Sequence, residues 1–288
     1  MSAVIVAFAG GESVRRPLAA LAPQCEALGV EVVVAHERGS IEIEPLAALY
    51  PFAHWVAAPP GSSPARLRTL GVLASSGAVV ACTEDHCTPN ADWCARILAA
   101  HASEGEARVV GGAIDVPASA PPAAWAAYLL DYSRYMPPLD GAPEQASDCN
   151  VSYRRASLDA VGDAWRDEFH ENVVHAALSD AGVPLRADAS IVVVEERHVA
   201  LGPYLRERVG HGRLFAATRV SGAAGATRLR LAAQSFLLPV ALVARVVARL
   251  RIRRRLGGVP NGAWPRLAVA AAAWSMGELA GYVTRRPR

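Results

Sequence analysis

The sequence predicts an α/β protein on a mainly parallel central sheet, and three observations carry that prediction. Apolar runs of strand length recur through the first half of the chain, at residues 3–9, 30–35, 52–57, 78–82 and 109–116. Stretches with helical periodicity separate several of them, at 14–28, 65–75 and 91–101. Strands that alternate with helices form βαβ units, whose crossovers make neighbouring strands parallel. The third observation is size: 288 residues suffice to bury one large α/β core plus a smaller appendage.

Each element has a local reason. The run at 3–9 is continuously apolar, as in a strand buried on both faces, and Gly10 and Gly11 break it before the helical stretch. Residues 30–35 repeat the strand signal with three consecutive valines, whereas 52–57 is a weaker signal. The run at 78–82 stops abruptly at Thr83, Glu84, Asp85 and His86. A helix is expected to follow from near Pro89 and to cover 91–101, with a strand at 109–116 and proline-rich loops around 123–135. No internal repeat is visible.

Composition narrows the class. Just over half of the residues, 52%, are hydrophobic, which rules out a disordered chain. The five cysteines, Cys25, Cys82, Cys87, Cys94 and Cys149, are odd in number and contain no CxxC pair, so neither a disulfide framework nor a zinc ribbon is indicated. Cys82, His86 and Cys87 match no standard zinc spacing, and reduced, mostly buried thiols are expected. The chain contains no GxGxxG, Walker loop or GxSxG, which argues against a dehydrogenase, a P-loop NTPase and a serine hydrolase.

Charge divides the chain. Residues 1–196 hold 12 Arg against 25 Asp plus Glu, net −13, and residues 197–288 hold 17 Arg against 2 Glu, net +15. A basic tail on an acidic head points to an anionic partner, nucleic acid or a membrane surface. Apolar content favours the membrane. Residues 235–250 read SFLLPVALVARVVARL, and Arg245, Arg249 and Arg253 recur at helical spacing, on one face. A span needs roughly 20 apolar residues; this run is broken earlier by Pro239 and two arginines, so an interfacial helix is expected. A second apolar run at 267–283 contains a lone Glu278 and is expected to form a re-entrant or surface hairpin, unless both helices simply pack on the head. Met1 leads straight into a strand pattern without a basic leader, so the head is expected to stay in the cytosol.

The acids at 84 and 85 stand where a buried strand ends, the end at which open α/β sheets bind ligands. Two readings stay open from these residues alone. They hold a metal that carries a diphosphate, or they merely favour the start of the next helix.

A second constellation follows: Asp148 Cys149 Asn150, Arg155, Leu158, Gly162 and then Glu171 Asn172. The order of motifs resembles glycosyltransferase family 2 over about the first 215 residues. That family runs from an acidic end of strand two, through an Arg-Asn-x-Gly helix and a strand ending in paired acids, to an Asn followed by Arg and a late Glu-Asp pair. Here Glu37 ends strand two, Arg68 Thr69 Leu70 Gly71 stand in the helix, and Glu84 Asp85 end the acidic strand. The sequence departs from the pattern in three places. His36 Glu37 replaces paired aspartates, Thr69 replaces the Asn after Arg68 while Arg66 competes for its role, and Asn172 takes the second place of the Glu-Asp pair.

The resemblance implies a GT-A fold, a three-layer α/β/α domain over 1–215, with an apolar, arginine-rich helical region at 216–288. It implies a nucleotide-sugar donor bound by Glu37, Arg66, Arg68, Glu84, Asp85 and Arg213, the last from a basic segment at 206–213. A divalent metal, Mn²⁺ or Mg²⁺, would be held by Asp85 and His86, Asn150 and Arg155 would lie on the acceptor side, and Glu171 would be the catalytic base of an inverting transfer. With the tail, the expectation is an enzyme at the cytoplasmic side of the cell membrane, acting on a lipid-linked acceptor at an anionic surface and binding no nucleic acid. The alternative is a degenerate, non-catalytic module that senses a nucleotide sugar or docks partners.

Overall fold

The computed structural model describes residues 1–8, 10–39, 42–102, 108–139, 146–220 and 224–284. The chain packs as two units, one of Met1–Asp115 with Tyr135–Arg197 and one of Val116–Arg134 with His198–Arg288. The boundary expected at 215 therefore falls inside a helix of the second unit.

The first unit is an α/β domain on an eight-stranded sheet. Its first half is the expected βαβ series: β1 (Ser2–Ala7), α1 (Gly11–Leu28), β2 (Glu31–Glu37), α2 (Glu44–Leu49), β3 (Ala53–Ala58), α3 (Pro64–Ala74) and β4 (Val79–Glu84). The end of the first apolar run, Ala9, lies outside the described residues. Helix α1 stops at Gly29, whose left-handed backbone (φ 63°) lets its N–H return to the Cys25 carbonyl. Helix α3 begins with Ser63 accepting the Arg66 N–H and with Pro64 in the first turn, where a missing donor costs nothing.

The second half is less regular. A two-residue turn at Asp85 and His86 leads into β5 (Cys87–Pro89), and then come α4 (Trp93–His101), β6 (Val109–Asp115), β7 (Val151–Arg154), α6 (Arg155–Ala160), α7 (Glu171–Asp180) and β8 (Leu185–Glu195). The helix expected from near Pro89 thus starts later, because residues 87–89 pair with β8. The strand order is β3-β2-β1-β4-β7-β6-β8-β5. The pairings of β1 with β2 and β4, of β2 with β3 and of β6 with β8 are parallel, and β7 runs antiparallel between β4 and β6.

The second unit holds α5 (Pro122–Asp131), α8 (Leu201–Arg219), α9 (Gly225–Gln234), α10 (Leu238–Ile252) and α11 (Ala263–Thr284). The apolar run expected as a surface hairpin is instead its central helix: Leu267, Ala270, Ala271 and Tyr282 of α11 are buried, and α11 packs on α5, α8, α9 and α10. A Cβ at Gly277 would strike the Val209 carbonyl, and one at Gly212 the Trp274 carbonyl, so glycine permits the close approach of α8 and α11. Glu278 is buried but not orphaned, since Trp274 Nε1 and Tyr282 Oη donate to it at 2.6 and 2.9 Å. The three arginines expected on one solvent face are divided. Arg249 donates to Ser133 Oγ at 3.1 Å, and Arg253 donates to the carbonyls of Ser133 and Arg134, whereas Arg245 is exposed.

Candidate active site

Parallel pairing puts the C-terminal ends of β1, β2 and β4 at one edge of the sheet, with Val6 level with both Ala35 and Glu84. Glu37 ends β2 at this same edge. Beyond Glu84 the chain turns at once. Asp85 donates its N–H to the Val6 carbonyl at 3.0 Å, and its Oδ2 accepts the Phe8 N–H at 2.8 Å. These bonds tie the turn to the end of β1 and bury the Asp85 side chain.

Arg68 reaches this edge from α3. Its Nη2 donates to Glu84 Oε1 and Asp148 Oδ2, both at 2.8 Å, and its Nη1 to the Phe169 carbonyl at 3.1 Å. Arg66, the competitor for the same role, points elsewhere and donates to the Asp167 carbonyl at 2.9 Å. Burial works against the charge of Arg68, but Asp148 and Glu84 more than restore it and hold its pKa above the usual range.

One guanidinium shared by two acids does not hold both fully ionised where solvent is scarce. Burial, then the charge of Asp148, pushes Glu84 up to about 8 despite His86 and Arg68. Glu171, the first residue of α7, is half-buried and lies in the field of the same groups. Burial and then Asp148 raise its carboxyl pKa, while Arg68 opposes the rise. His175, one turn on, is not its partner, because His175 Nε2 is taken by Tyr153 Oη at 2.9 Å.

The structure thus gathers Arg68, Glu84, Asp85 and Glu171 from the expected set and adds Asp148, which sequence reasoning quoted without a role. A carboxylate three residues ahead of a buried strand was the available signal. His86 is buried beside them, its Nε2 3.5 Å from Glu84 Oε2 and its Nδ1 3.4 Å from Asp85 Oδ1.

Two expected residues serve the fold instead. Asn150 is fully buried: its Oδ1 accepts Trp93 Nε1 at 2.9 Å, and its Nδ2 donates to the carbonyls of Ala113 and Ile191 at 2.7 and 3.0 Å. Gly112 makes room for that amide, since a Cβ there would collide with it. Arg155 donates to the carbonyl of Gly77 and to Ser75 Oγ, at the start of β4 and so about 20 Å along the strand from its acidic end. Arg213 belongs to α8, in the second unit.

Three carboxyls, Glu84, Asp148 and Glu171, thus act on one buried guanidinium, with buried Asp85 next to Glu84. Excess negative charge away from water is what a bound divalent cation offsets, so this donor set fits one.

The raised pKa values have a consequence for stability. A carboxyl whose pKa is higher in the folded state contributes stability that is present below its ordinary pKa and lost as pH rises through the folded value. With chelator present, the urea midpoint is therefore expected to fall between pH 4.5 and about 8, the window of Glu84, and Glu84→Gln should flatten the fall. A midpoint that rises over this window would contradict the assignment.

No family model matches the sequence, and no curated protein does. Solved structures do. A mannosyltransferase from Pyrobaculum calidifontis, solved with GDP-Man and Mn²⁺, aligns over 96% of this chain and 86% of its own at a TM-score of 0.56 and 16% identity. The fold is of the GT-A type. Staphylococcus aureus TarS 1–349 with UDP-GlcNAc aligns over 92% of this chain and 78% of its own, at 14% identity and a TM-score of 0.48. In the GT-A sheet of this chain, the acids of β4 and the first turn of α7 meet at one strand edge.

Proposed function

We propose that the protein is an inverting glycosyltransferase that moves a sugar from a nucleotide-sugar donor to an acceptor hydroxyl. The observation that carries this reading is the meeting of Glu171 with Asp148, Arg68 and Glu84. It puts a half-buried carboxyl of raised pKa, suited to taking a proton, beside acids suited to a diphosphate-bound cation. The GT-A fold and the donor bound by the mannosyltransferase support it.

Glu171 accepts the proton of the acceptor hydroxyl as that oxygen attacks the anomeric carbon, and the nucleoside diphosphate leaves from the opposite face. A divalent cation, Mn²⁺ or Mg²⁺, held at this acidic edge with Asp148 among its ligands would act as a Lewis acid on the departing diphosphate. Arg68 fixes Glu84 and Asp148 in place, and Asp85 fixes the Phe8 backbone beside them. Glu37, at the same edge, takes the nucleoside. Screening nucleotide sugars with Mn²⁺ for thermal stabilisation, and then for transfer, tests the reading. A panel in which no donor shifts the melting temperature would remove it.

Asn172 favours a second reading, a head that binds donor without turning it over. Binding that survives Glu171→Gln together with an absence of turnover in the wild type would establish that alternative.

The second unit supplies the setting. No single described helix is long and apolar enough to cross a membrane, although α9 and α10, bent by 60° at their junction, pass the test together. At that bend Phe236, Leu237 and Val240 are each 72% exposed, and Arg230, Arg245, Arg251 and Arg254 of the same two helices and the turn after them are exposed too. Exposed apolar side chains on helices that also expose guanidinium groups suit the interface of an anionic bilayer. We place the enzyme there, on the cytoplasmic side of the cell membrane, where five free cysteines suit a reducing compartment. Tethering confines its search to the surface that carries a lipid-linked acceptor. Replacing Phe236, Leu237 and Val240 with serine is expected to weaken flotation with anionic vesicles at least about tenfold. Undiminished flotation would defeat the anchoring.

A further inference from the structure

We propose that His86, Cys87 and Cys149 form a buried binding site for one thiophilic divalent cation of the zinc class, distinct from the oxygen ligands assigned to the donor's cation. Along the chain Cys82, not Cys149, stands near His86 and Cys87, at a spacing that matches no standard zinc pattern. The sheet replaces it. In the antiparallel register of β4 and β7, Cys82 pairs with Val151, so two residues further on Glu84 comes level with Cys149. Cys82 itself is buried in the hydrophobic core with Val151 and Tyr153.

One ligand atom from each of His86, Cys87 and Cys149 lies within 4.8 Å of the others, and all three residues are buried. A tetrahedral ion with metal–sulfur bonds of about 2.3 Å sets two sulfurs about 3.8 Å apart. Binding would therefore draw the ligands together by about 1 Å or less. Glu84 Oε2 stands 3.2 Å from Cys149 Sγ and 3.5 Å from His86 Nε2, beside the three ligands, and its other oxygen stays on Arg68. Metal-bound histidines hold their second ring nitrogen on a carboxylate or carbonyl, and Asp85 Oδ1 stands 3.4 Å from His86 Nδ1.

Sulfur and nitrogen donors select zinc over magnesium or manganese. Burial closes the site, as in structural rather than catalytic centres. On binding, the thiols of Cys87 and Cys149 release their two protons to solvent and become thiolates. The ion then clamps the turn after β4 to the segment that enters β7, and so fixes Asp148, the neighbour of Cys149. Loading leaves Asp148 for the donor's cation.

The test uses the full chain, untagged and kept reduced, and needs no glycosyl transfer. After chelation, titration with Co²⁺ should give a thiolate-to-cobalt charge-transfer band that saturates at one equivalent, that Zn²⁺ erases and that Mn²⁺ leaves unchanged. Cys149→Ser and Cys87→Ser should reduce the band to background, whereas a Cys25→Ser, Cys94→Ser double variant should retain it. Loss of donor turnover with this band intact would count against the transferase reading alone. Absence of the band in the wild type would overturn the site, and that measurement stands even if the serine variants fail to fold. Persistence of the band in Cys149→Ser would overturn it as well, as would a Cys87–Cys149 disulfide in freshly purified metal-free protein.

Discussion

Arg68→Ala is expected to destabilise the protein by about 3–5 kcal/mol, the usual cost of leaving a buried charge without its partner. Arg68 is 2% exposed, and its Nη2 serves Glu84 and Asp148 together. Its removal leaves two acids uncompensated and a Phe169 carbonyl without that donor. Urea unfolding at neutral pH measures the loss. The origin is checked by a double variant: Arg68→Ala with Glu84→Gln should recover part of the deficit, because a neutral amide no longer needs the guanidinium. A double variant as unstable as the sum of the two single ones would mean that Arg68 acts through packing. Arg66→Ala serves as the control and should cost less than about 1 kcal/mol, since its contacts with Asp167 are exposed.

Glu171→Gln is expected to lower donor turnover by about 10²–10⁴, the range for loss of a positioned general base, while nucleotide-sugar binding stays within about threefold. Stability should hold or rise, because the change removes a carboxyl that burial and Asp148 disfavour in its charged form. The rate profile carries the same signature. Wild-type turnover should rise with pH through a midpoint above the ordinary carboxylate range, since a base works only when deprotonated, and the variant should lose that limb. Turnover that survives Glu171→Gln unchanged would transfer the role of base to another residue.

The two variants probe different parts of one cluster, and their contrast is informative. Arg68 is a positioning residue, so its loss should appear first as instability. Glu171 is a partly open carboxyl at a helix start, so its loss should appear in the chemistry.

Several parts of this arrangement were legible in the chain. Hydrophobic runs separated by helical periods gave β1 through β4 in order, because a buried parallel strand must be apolar on both faces. The stop at Glu84 and Asp85 marked the ligand end of the sheet for the same reason: charge interrupts such a run only where the strand leaves the core. The later strands were harder. β7 is four residues long and β5 three, and the exposed positions of β8 all fall in its first six residues, which leaves only the short run at 191–194 to announce it. The internal hydrogen bonds of Asn150 and Arg155 were illegible for a related cause. A polar residue that bonds to buried carbonyls has the same letter as one that bonds to a ligand.

The sequence by itself determined the class of fold, the acidic edge and the separation of an acidic head from a basic tail, because these follow from local periodicity and summed charge. Tertiary structure alone decided which arginine meets the acids, that Asp148 joins them, that Cys149 rather than Cys82 stands beside His86 and Cys87, and that Arg249 and Arg253 turn inward while Arg245 does not. Strand register and helix rotation fix these choices, and both are set by long-range packing that no spacing along the chain encodes.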